Sequence, residues 1–105
     1  MTLKFRNQPI EVGGIQFASR KEARRWAVLC LLERDGKITD LKAHPSFPLD
    51  VNGYPVCRYV ADASYRENGV LVVEDTKSPI TRKHPVYRLK NKLFRALHGF
   101  EIREV

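Results

Sequence analysis

The apolar positions of the chain change period along its length, and these changes divide it into short elements. Apolar residues alternate on both sides of Gly13-Gly14, a pair that tolerates the positive φ of a tight turn, which predicts a β-hairpin over residues 9–18. A helical period follows and predicts a helix over residues 19–34. The predicted buried stripe of this helix is Ala23, Trp26, Ala27, Cys30 and Leu31.

The start of this helix carries a capping box. Ser19 is the predicted N-cap, and Glu22 follows three residues later, so each side chain can bind a backbone N–H of the first turn. A carboxylate in the first turn is also favoured by the helix dipole. Capping alone therefore explains Glu22, and its spacing gives no reason to assign a further role.

The middle of the chain predicts an antiparallel meander. Residues 37–46 are a predicted connection, because Pro45 and Pro48 limit regular structure. The turn signals Asn52-Gly53 and Asn68-Gly69 then separate three predicted strands, at residues 47–51, 55–66 and 70–77.

The last third predicts a second helix and a closing strand. Pro85 at the first helical position and Gly99 just past the end bound a helix over residues 85–98, and residues 100–105 alternate as a strand. The predicted apolar stripe of this helix is Val86, Leu89, Leu93, Ala96 and Leu97. Hairpins followed by a helical crossover imply an α/β fold with a mixed sheet, in one domain over residues 1–105.

Composition narrows the class of protein. Of the 105 residues 43% are hydrophobic, which excludes an intrinsically disordered chain. A membrane span needs about 20 apolar residues, whereas the longest run here covers only residues 26–32. Lys4 and Arg6 are not followed by an apolar stretch, so we expect no signal peptide, no membrane partner and a cytoplasmic location.

The cysteines and the net charge bear on partners. Cys30 and Cys57 lack CxxC partners, so we expect two buried free thiols rather than a structural zinc site. The chain has 19 lysine and arginine residues against 12 aspartate and glutamate residues, a net charge of +7. This charge indicates an acidic partner, nucleic acid first, although a basic surface without a partner fits the composition equally well.

The Asn68-Gly69 turn sets the register of the two strands beside it if it is a two-residue loop, whereas a three-residue loop with a bulge would shift that register by one. In a two-residue hairpin the flanking residues pair with each other, and the same register places Asp62 opposite Asp75, with both side chains on one face. Lys77, two residues further along the strand, shares that face. Two aspartates and one lysine are therefore predicted to converge.

Such a pair of carboxylates is unfavourable without a cation. Directly opposed like charges destabilise a sheet, whereas Mg²⁺ prefers carboxylate oxygens and keeps several waters. The register therefore predicts a metal site at Asp62 and Asp75, with Lys77 adding positive charge. The alternative is a salt-bridged surface cluster of the same three residues.

Four blocks of sequence resemble a known family. They are residues 14–25 (GIQFASRKEARR), 59–62 (YVAD), 73–77 (VEDTK) and 100–105 (FEIREV). In order and spacing they resemble the PD-(D/E)XK nuclease superfamily, and more closely a group of small phage-encoded proteins assigned to it. The resemblance implies a restriction-endonuclease-like core of helix, three-stranded antiparallel meander, helix and strand, preceded here by the short hairpin.

The resemblance also implies metal-dependent hydrolysis of phosphodiester bonds. Asp62 and Asp75 would be metal ligands and Lys77 the catalytic lysine. Glu22 stands where many members place a further ligand on the first helix, so the resemblance gives it a role beyond capping. The implied ion is Mg²⁺, with Mn²⁺ also supporting activity, and no small-molecule cofactor is expected.

Two features depart from the family pattern. Ala61 stands where the motif name has proline. The glutamine or tyrosine that some branches place on the second helix has no clear counterpart. Tyr87 and Lys90 are nearest to it and fit packing or phosphate contact better.

Basic residues flank the predicted site on both helices and are candidates for phosphate contacts. They are Arg20, Lys21, Arg24, Arg25, Arg82, Lys83, Arg88 and Lys92. We therefore interpret the chain as a Mg²⁺-dependent DNA endonuclease, selective for branched structures or weakly specific. Two cuts in a branched substrate need two sites, which favours a homodimer.

Two other interpretations stay open at this point. The chain could be a non-catalytic nucleic-acid-binding phage accessory protein that keeps the nuclease fold. It could also be a structural or interaction protein whose charge is incidental.

Overall fold

A computed structural model of the chain describes residues 9–105. Lys4 and Arg6, and with them the expectation about a signal peptide, lie outside these residues. The helices are α1 Arg20–Arg34, α2 Pro79–Lys83 and α3 Pro85–His98. The strands are β1 Ile10–Val12, β2 Ile15–Phe17, β3 Thr39–Ala43, β4 Ser46–Val51, β5 Tyr54–Val60, β6 Ala63–Glu67, β7 Val70–Asp75 and β8 Arg103–Glu104.

The predicted N-terminal hairpin is present. β1 and β2 pair antiparallel, with Ile10 opposite Phe17. Gly13 and Gly14 have φ values of 59° and 84° in the turn, a region that side chains disfavour. The hairpin leads directly into α1, which begins after the predicted N-cap Ser19.

The main sheet is mixed, as the order of elements predicts. Its strand order is β3-β6-β7-β8. The first two pairings are antiparallel, whereas β8 runs parallel to β7 after the crossover through α3. β4 and β5 form a separate two-stranded sheet. The α/β class, the mixed sheet and the short N-terminal hairpin are therefore confirmed.

A hydrophobic core lies on each face of the main sheet. Val72 and Val73 are neighbours in β7 and pack into different cores, because strand side chains alternate between faces. The α1-side core contains Phe17, Ala23, Trp26, Leu29, Ile38, Ala63, Tyr65 and Val72. The α3-side core contains Leu49, Tyr59, Ala61, Val73, Tyr87, Phe94 and Ile102.

The prediction of one long strand over residues 55–66 is wrong, because this segment forms two separate strands. β5 ends at Val60 and β6 begins at Ala63. The opposite segment bends at the same level, where His44 has a φ of 49° and precedes Pro45. Two hydrogen bonds hold this bend, from Ala61 N–H to the Pro45 carbonyl and from His44 N–H to the Asp62 carbonyl, both of 3.0 Å.

Several other boundaries differ from the predictions. The connection over residues 37–46 contains β3, which pairs with β6. The strand predicted over residues 70–77 ends at Asp75, and Ser78 caps the short helix α2, which the pattern did not predict. The closing strand is confined to β8. Its neighbour Val105 binds the end of β7, donating to the Asp75 carbonyl at 2.9 Å and accepting from Lys77 N–H at 3.3 Å.

Both long helices bury only part of the apolar stripe predicted for them: Ala23 and Trp26 of α1 are buried as predicted, and Leu93 of α3 packs against the core. In α1 the buried residues are Ala23, Trp26 and Leu29, whereas the predicted Ala27, Cys30 and Leu31 are exposed. In α3 the buried residues are Tyr87 and Phe94, whereas the predicted Val86, Leu89, Ala96 and Leu97 are exposed. The bounds of α3 are those predicted, with Gly99 in the left-handed conformation just past its end.

The two cysteines were predicted to be free and buried, and only the first part of this prediction is confirmed. Both thiols are unpaired, but Cys30 is exposed and Cys57 is half-buried. None of the three helices described here is long and apolar enough to cross a membrane.

Replacing Phe94 by alanine should destabilise the protein strongly. Its ring is fully buried and lies 5.4 Å from that of Phe47 and 5.3 Å from that of Phe100, centroid to centroid. Deleting such a side chain costs about 3–5 kcal/mol of unfolding free energy, which denaturant titration would measure. The control is Leu89→Ala on the exposed side of the same helix, which should change stability by less than about 0.5 kcal/mol. Equal effects of the two changes would contradict the packing described here.

Candidate functional site

The candidate site forms where β7 ends. Glu74 and Asp75 are the last residues of this strand, and their exposed fractions are 0% and 1%. Because they are consecutive in a strand, their side chains point to opposite faces of the sheet. A buried carboxylate needs hydrogen bonds or a cation nearby, and each of the two has its own set.

Glu74 is bound by residues of the α1 side. Arg25 donates to it twice, from Nε at 2.6 Å and from Nη2 at 2.9 Å, and Tyr65 donates its hydroxyl at 2.7 Å. The hydrogen bond to Glu74 raises the pKa of Arg25, and burial raises the pKa of Tyr65 to about 12. Arg25, predicted to contact phosphates, is thus engaged in an ion pair with the interior.

Asp75 is bound by residues of the α3 side. Its Oδ2 accepts the hydroxyl of Tyr59 and lies 3.5 Å from the Lys77 ammonium nitrogen, while its Oδ1 accepts Asp62 N–H at 2.8 Å. Burial raises the pKa of Asp75, and the positive charge of Lys77 opposes that rise. The Lys77 ammonium also lies 4.6 Å from the ring centroid of Tyr87, within cation–π range.

Asp62 contacts Asp75, but the two residues do not form the predicted strand pair with both side chains on one face. β6 and β7 pair as the two-residue turn requires, up to Ala63 opposite Glu74. There the chain bends, so the two aspartates do not continue the ladder as a pair on one face. Instead each carboxylate binds a backbone N–H of the other segment: Asp62 N–H donates to Asp75, and Thr76 N–H donates to Asp62 Oδ2 at 2.7 Å.

Glu22 joins this group from the start of α1. Ser19 Oγ accepts Glu22 N–H at 3.2 Å, and Glu22 Oε1 accepts Ala18 N–H at 3.3 Å, so the predicted capping role is confirmed. Burial raises the pKa of Glu22, and the negative charge of Asp62 raises it further. Glu22 is thus both a cap and a carboxylate close enough to Asp62 to be repelled by it.

A crevice connects these side chains. Glu22, Arg25, Asp62 and Thr76 all line it, and it has room for about one water molecule. The Thr76 hydroxyl is buried there and is the one buried side-chain nitrogen or oxygen in residues 9–105 without a hydrogen-bond partner. A buried hydroxyl left without a partner is costly, so this oxygen is suited to bind a water or ligand atom in the crevice.

The donors around the crevice are oxygens, but they are not a preformed cage. Within the described part of the chain, no group of three or more His, Cys, Asp or Glu side chains is arranged to hold a metal ion. Glu22 and Asp62 line the crevice, whereas both oxygens of Asp75 already accept hydrogen bonds or ion pairs from the protein.

Three residues that support the site were not predicted to do so: Tyr59 and Glu104 had no assigned role, and Tyr87 was expected to pack or to contact phosphate. Tyr59 binds Asp75, and Tyr87 carries Lys77 on its ring and donates its hydroxyl to Glu104. Glu104 in turn lies 3.0 Å from Arg82 Nε. Tyr59 lies in the YVAD block, three residues before Asp62. That position was the one sequence feature that could have indicated its role in the site.

The predicted phosphate-contact residues do not form one surface. Those on α1 and those on α2 and α3 belong to helices packed on opposite faces of the sheet. Seven of them are exposed: Arg20, Lys21, Arg24, Arg82, Lys83, Arg88 and Lys92. Arg25 is half-buried and binds Glu74, and the exposed Arg82 binds Glu104.

Replacing Glu22 by glutamine should stabilise the protein at neutral pH in EDTA. The folded-state pKa of Glu22 is raised, so the ionised group lowers stability as pH increases from its unfolded value through the raised one, and stability stays lower above that window. Glutamine keeps an acceptor for Ala18 N–H without the charge. Thermal unfolding should show a higher midpoint for Glu22→Gln at pH 7 and little gain near pH 4, about the unfolded value. Glu11→Gln, an exposed control, should change nothing, and a lower midpoint for Glu22→Gln at pH 7 would contradict the repulsion from Asp62.

Comparison with known proteins gives a family but no described activity. No curated protein and no solved structure matches the chain. A family model described as "Protein of unknown function (DUF1064)" matches residues 2–103. Because the match spans nearly the whole sequence, the chain belongs to the DUF1064 family.

Proposed function

We propose that this protein is a metal-dependent endonuclease that hydrolyses phosphodiester bonds in DNA. The observation that carries the proposal is the meeting of Asp62, Asp75 and Lys77 at the end of β7. The Lys77 ammonium is 3.5 Å from Asp75 Oδ2, and Asp62 N–H is 2.8 Å from Asp75 Oδ1. Two carboxylates beside one lysine provide the charges that a phosphodiester hydrolase needs around a cation and a phosphate.

The convergence of separate sequence blocks supports the same proposal. The block over residues 59–62 contacts the block over residues 73–77 through the Tyr59 hydroxyl and Asp62 N–H. The block over residues 14–25 brings Glu22 and Arg25 to the same crevice. Together with α1 and α3 on opposite faces of a mixed sheet, this is why we propose a restriction-endonuclease-like core.

The donor set fits Mg²⁺ better than a softer metal. Mg²⁺ prefers oxygen ligands, usually takes one or two carboxylates and retains waters, so it does not require a preformed cage of three acids. Asp62, Asp75 and Glu22 are the residues that would hold it, with the unpartnered Thr76 hydroxyl beside them. A bound ion supplies Lewis-acid stabilisation of the phosphate charge. Asp75 could hold the ion only if its carboxylate gave up part of its contact with Tyr59 and Lys77.

The chain's own residues position the remaining charge. Lys77 is held between the carboxylate of Asp75 and the ring of Tyr87. These two contacts fix the position of its ammonium group and stabilise the positive charge. A positive charge fixed in this way stabilises negative charge that develops on a nearby phosphate. Glu22 and Asp62 repel each other, and a cation held at the site would relieve this repulsion.

A second candidate function is nucleic-acid binding without cleavage. The saturation of Asp75 by Tyr59, Asp62 and Lys77 favours it, because a fully satisfied carboxylate is stable without metal. The two functions differ in whether a cation binds and whether phosphodiester bonds are cut. For the nuclease we further propose branched DNA as the preferred substrate and a homodimer as the active form, because two cuts need two sites.

Divalent cations should stabilise the folded protein. An ion that binds only the folded state raises the unfolding free energy by about 2.7 kcal/mol at 100 times its dissociation constant. Thermal unfolding of the wild type in Mg²⁺ or Mn²⁺ should therefore have a higher midpoint than in EDTA. Asp62→Asn and Asp75→Asn should each abolish this difference, whereas Asp50→Asn, an exposed control in β4, should preserve it. A wild-type midpoint indifferent to both cations would count against the metal site.

The protein should cut DNA only with a divalent cation and only with Lys77 in place. Supercoiled plasmid and a four-way junction are the substrates, each incubated with Mg²⁺, Mn²⁺ or EDTA. Lys77→Met keeps the length of the side chain but removes the charge, and it should lower the cleavage rate by about 100-fold or more. Asp75→Asn should abolish cleavage that depends on metal.

Lys37→Met, at an exposed lysine outside the site, is the matched control and should cut like the wild type. Cleavage that persists in EDTA, or that Lys77→Met leaves unchanged, would refute the nuclease. Binding of both substrates without cleavage would favour the second candidate function instead.

A further inference from the structure

A groove runs between β5 and the helices α2 and α3. Its cavity volume is about 470 Å³, within the range of about 300–1,000 Å³ that is usual for organic ligand sites. We call it the β5–α3 groove. The lining residues that matter here are Arg58, Val60, Ile80, His84, Val86 and Lys90.

Exposed aliphatic side chains line much of this groove. Ile80, Val60 and Val86 are 83%, 58% and 55% exposed, although they come from three different elements. Apolar side chains gathered at one exposed place mark a surface that binds something. The ligand must therefore present apolar faces.

The charges of the groove all have one sign. Arg58 binds Ser46 Oγ at 2.7 Å, and Lys90 binds the Arg58 carbonyl at 2.9 Å. Neither cation contacts a carboxylate among residues 9–105, and no Asp or Glu is found among the described residues that line the groove. This charge is complementary to a polyanion, and it disfavours a second copy of a chain with a net charge of +7.

A second groove, between α3 and β8, shows the contrast. It also contains arginines, but Arg82 binds Glu104 and Arg95 binds Glu101, each at 3.0 Å. Its cations are thus partly neutralised from within the protein. The β5–α3 groove keeps its positive charge available for a ligand.

The floor of the β5–α3 groove belongs to the candidate site. Tyr59 and Tyr87 both line it. The same two tyrosines hold Asp75, through the Tyr59 hydroxyl, and Lys77, through the Tyr87 ring. The groove and the candidate site therefore share these two tyrosines.

We propose that the β5–α3 groove binds single-stranded nucleic acid. Phosphates lie at Arg58 and Lys90, and unpaired bases lie against Val60, Ile80 and Val86. A duplex hides the apolar faces of its bases in the stack, whereas a single strand presents them together with its phosphates. Mixed apolar and basic lining therefore fits an unpaired strand better than a duplex.

This inference extends the proposed function. Binding in the groove does not depend on nuclease activity, whereas the statement about which substrate is cut rests on the proposed function. If the site at Asp75 and Lys77 cuts DNA, the groove names its substrate as a strand with an unpaired segment. Branched DNA with a single-stranded arm is such a substrate, and it should be preferred over a fully paired duplex.

The test is equilibrium binding in EDTA, where no metal-dependent cleavage occurs. Fluorescence anisotropy would compare a labelled 20-nucleotide single strand with a duplex of the same sequence, at several salt concentrations. The wild type should bind the single strand more tightly. The double variant Arg58→Ala/Lys90→Ala should weaken that binding at least tenfold and reduce the salt slope by about 1.4, since each phosphate contact contributes about 0.7 for single strands.

The apolar part of the groove has its own variant. Ile80→Ala should weaken single-strand binding by about tenfold and leave the salt slope unchanged, because base packing against the side chain is lost and no ion contact is. Leu89→Ala, an exposed leucine outside the groove, is the matched control and should bind normally. Arg58→Lys/Lys90→Arg keeps both charges and should bind nearly as the wild type does.

Three results would overturn the proposal: wild-type binding by both groove variants, duplex binding as tight as single-strand binding, or a loss of binding only on Arg88→Ala/Lys92→Ala in the other groove. The cleavage assay distinguishes failure of the groove proposal from failure of the proposed nuclease activity. Groove-dependent binding with no cleavage in any metal refutes the nuclease and leaves the groove standing. Cleavage that requires Lys77 but is unchanged in the groove variants refutes the groove proposal and supports the nuclease.

Discussion

The fold depends on two consecutive carboxylates, Glu74 and Asp75, buried at the end of the central strand. Taking an ionised group out of water costs several kcal/mol unless partners replace the water. Since the two side chains point to opposite faces, each face must supply its own partners. Arg25 from α1 serves one face, and Tyr59 and Lys77 serve the other. The placement of the flanking elements follows from this requirement as much as from apolar packing.

The face that α1 turns to the sheet illustrates the point. Its apolar period alone would bury Ala27, Cys30 and Leu31, but these are exposed. With Arg25 bound to Glu74, α1 buries Leu29 together with Ala23 and Trp26, the two residues of the predicted stripe that do face the core. A contact between residues 49 positions apart in sequence cannot be predicted from local periodicity, so the elements of the fold were predictable and the faces they bury were predictable only in part.

The parts of the site that could be predicted are those that local rules determine. The Asn68-Gly69 turn sets the register of β6 and β7, and the capping box sets the start of α1 and hence the place of Glu22. What escaped prediction is the bend at Asp62, which is held by a hydrogen bond from Ala61 N–H to the carbonyl of Pro45, between β3 and β4. Because of that bend, each of the two aspartate carboxylates binds a backbone N–H of the other segment, a contact that the predicted strand pairing did not describe.

The tie between Val105 and the end of β7 has a practical consequence for anyone handling this protein. Val105 N–H binds the Asp75 carbonyl, and its own carbonyl binds Lys77 N–H. Any polypeptide fused after Val105 therefore begins beside Asp75 and Lys77. A bulky affinity tag attached there competes for the space around the site, whereas a small fluorophore attached there becomes a reporter of what enters it.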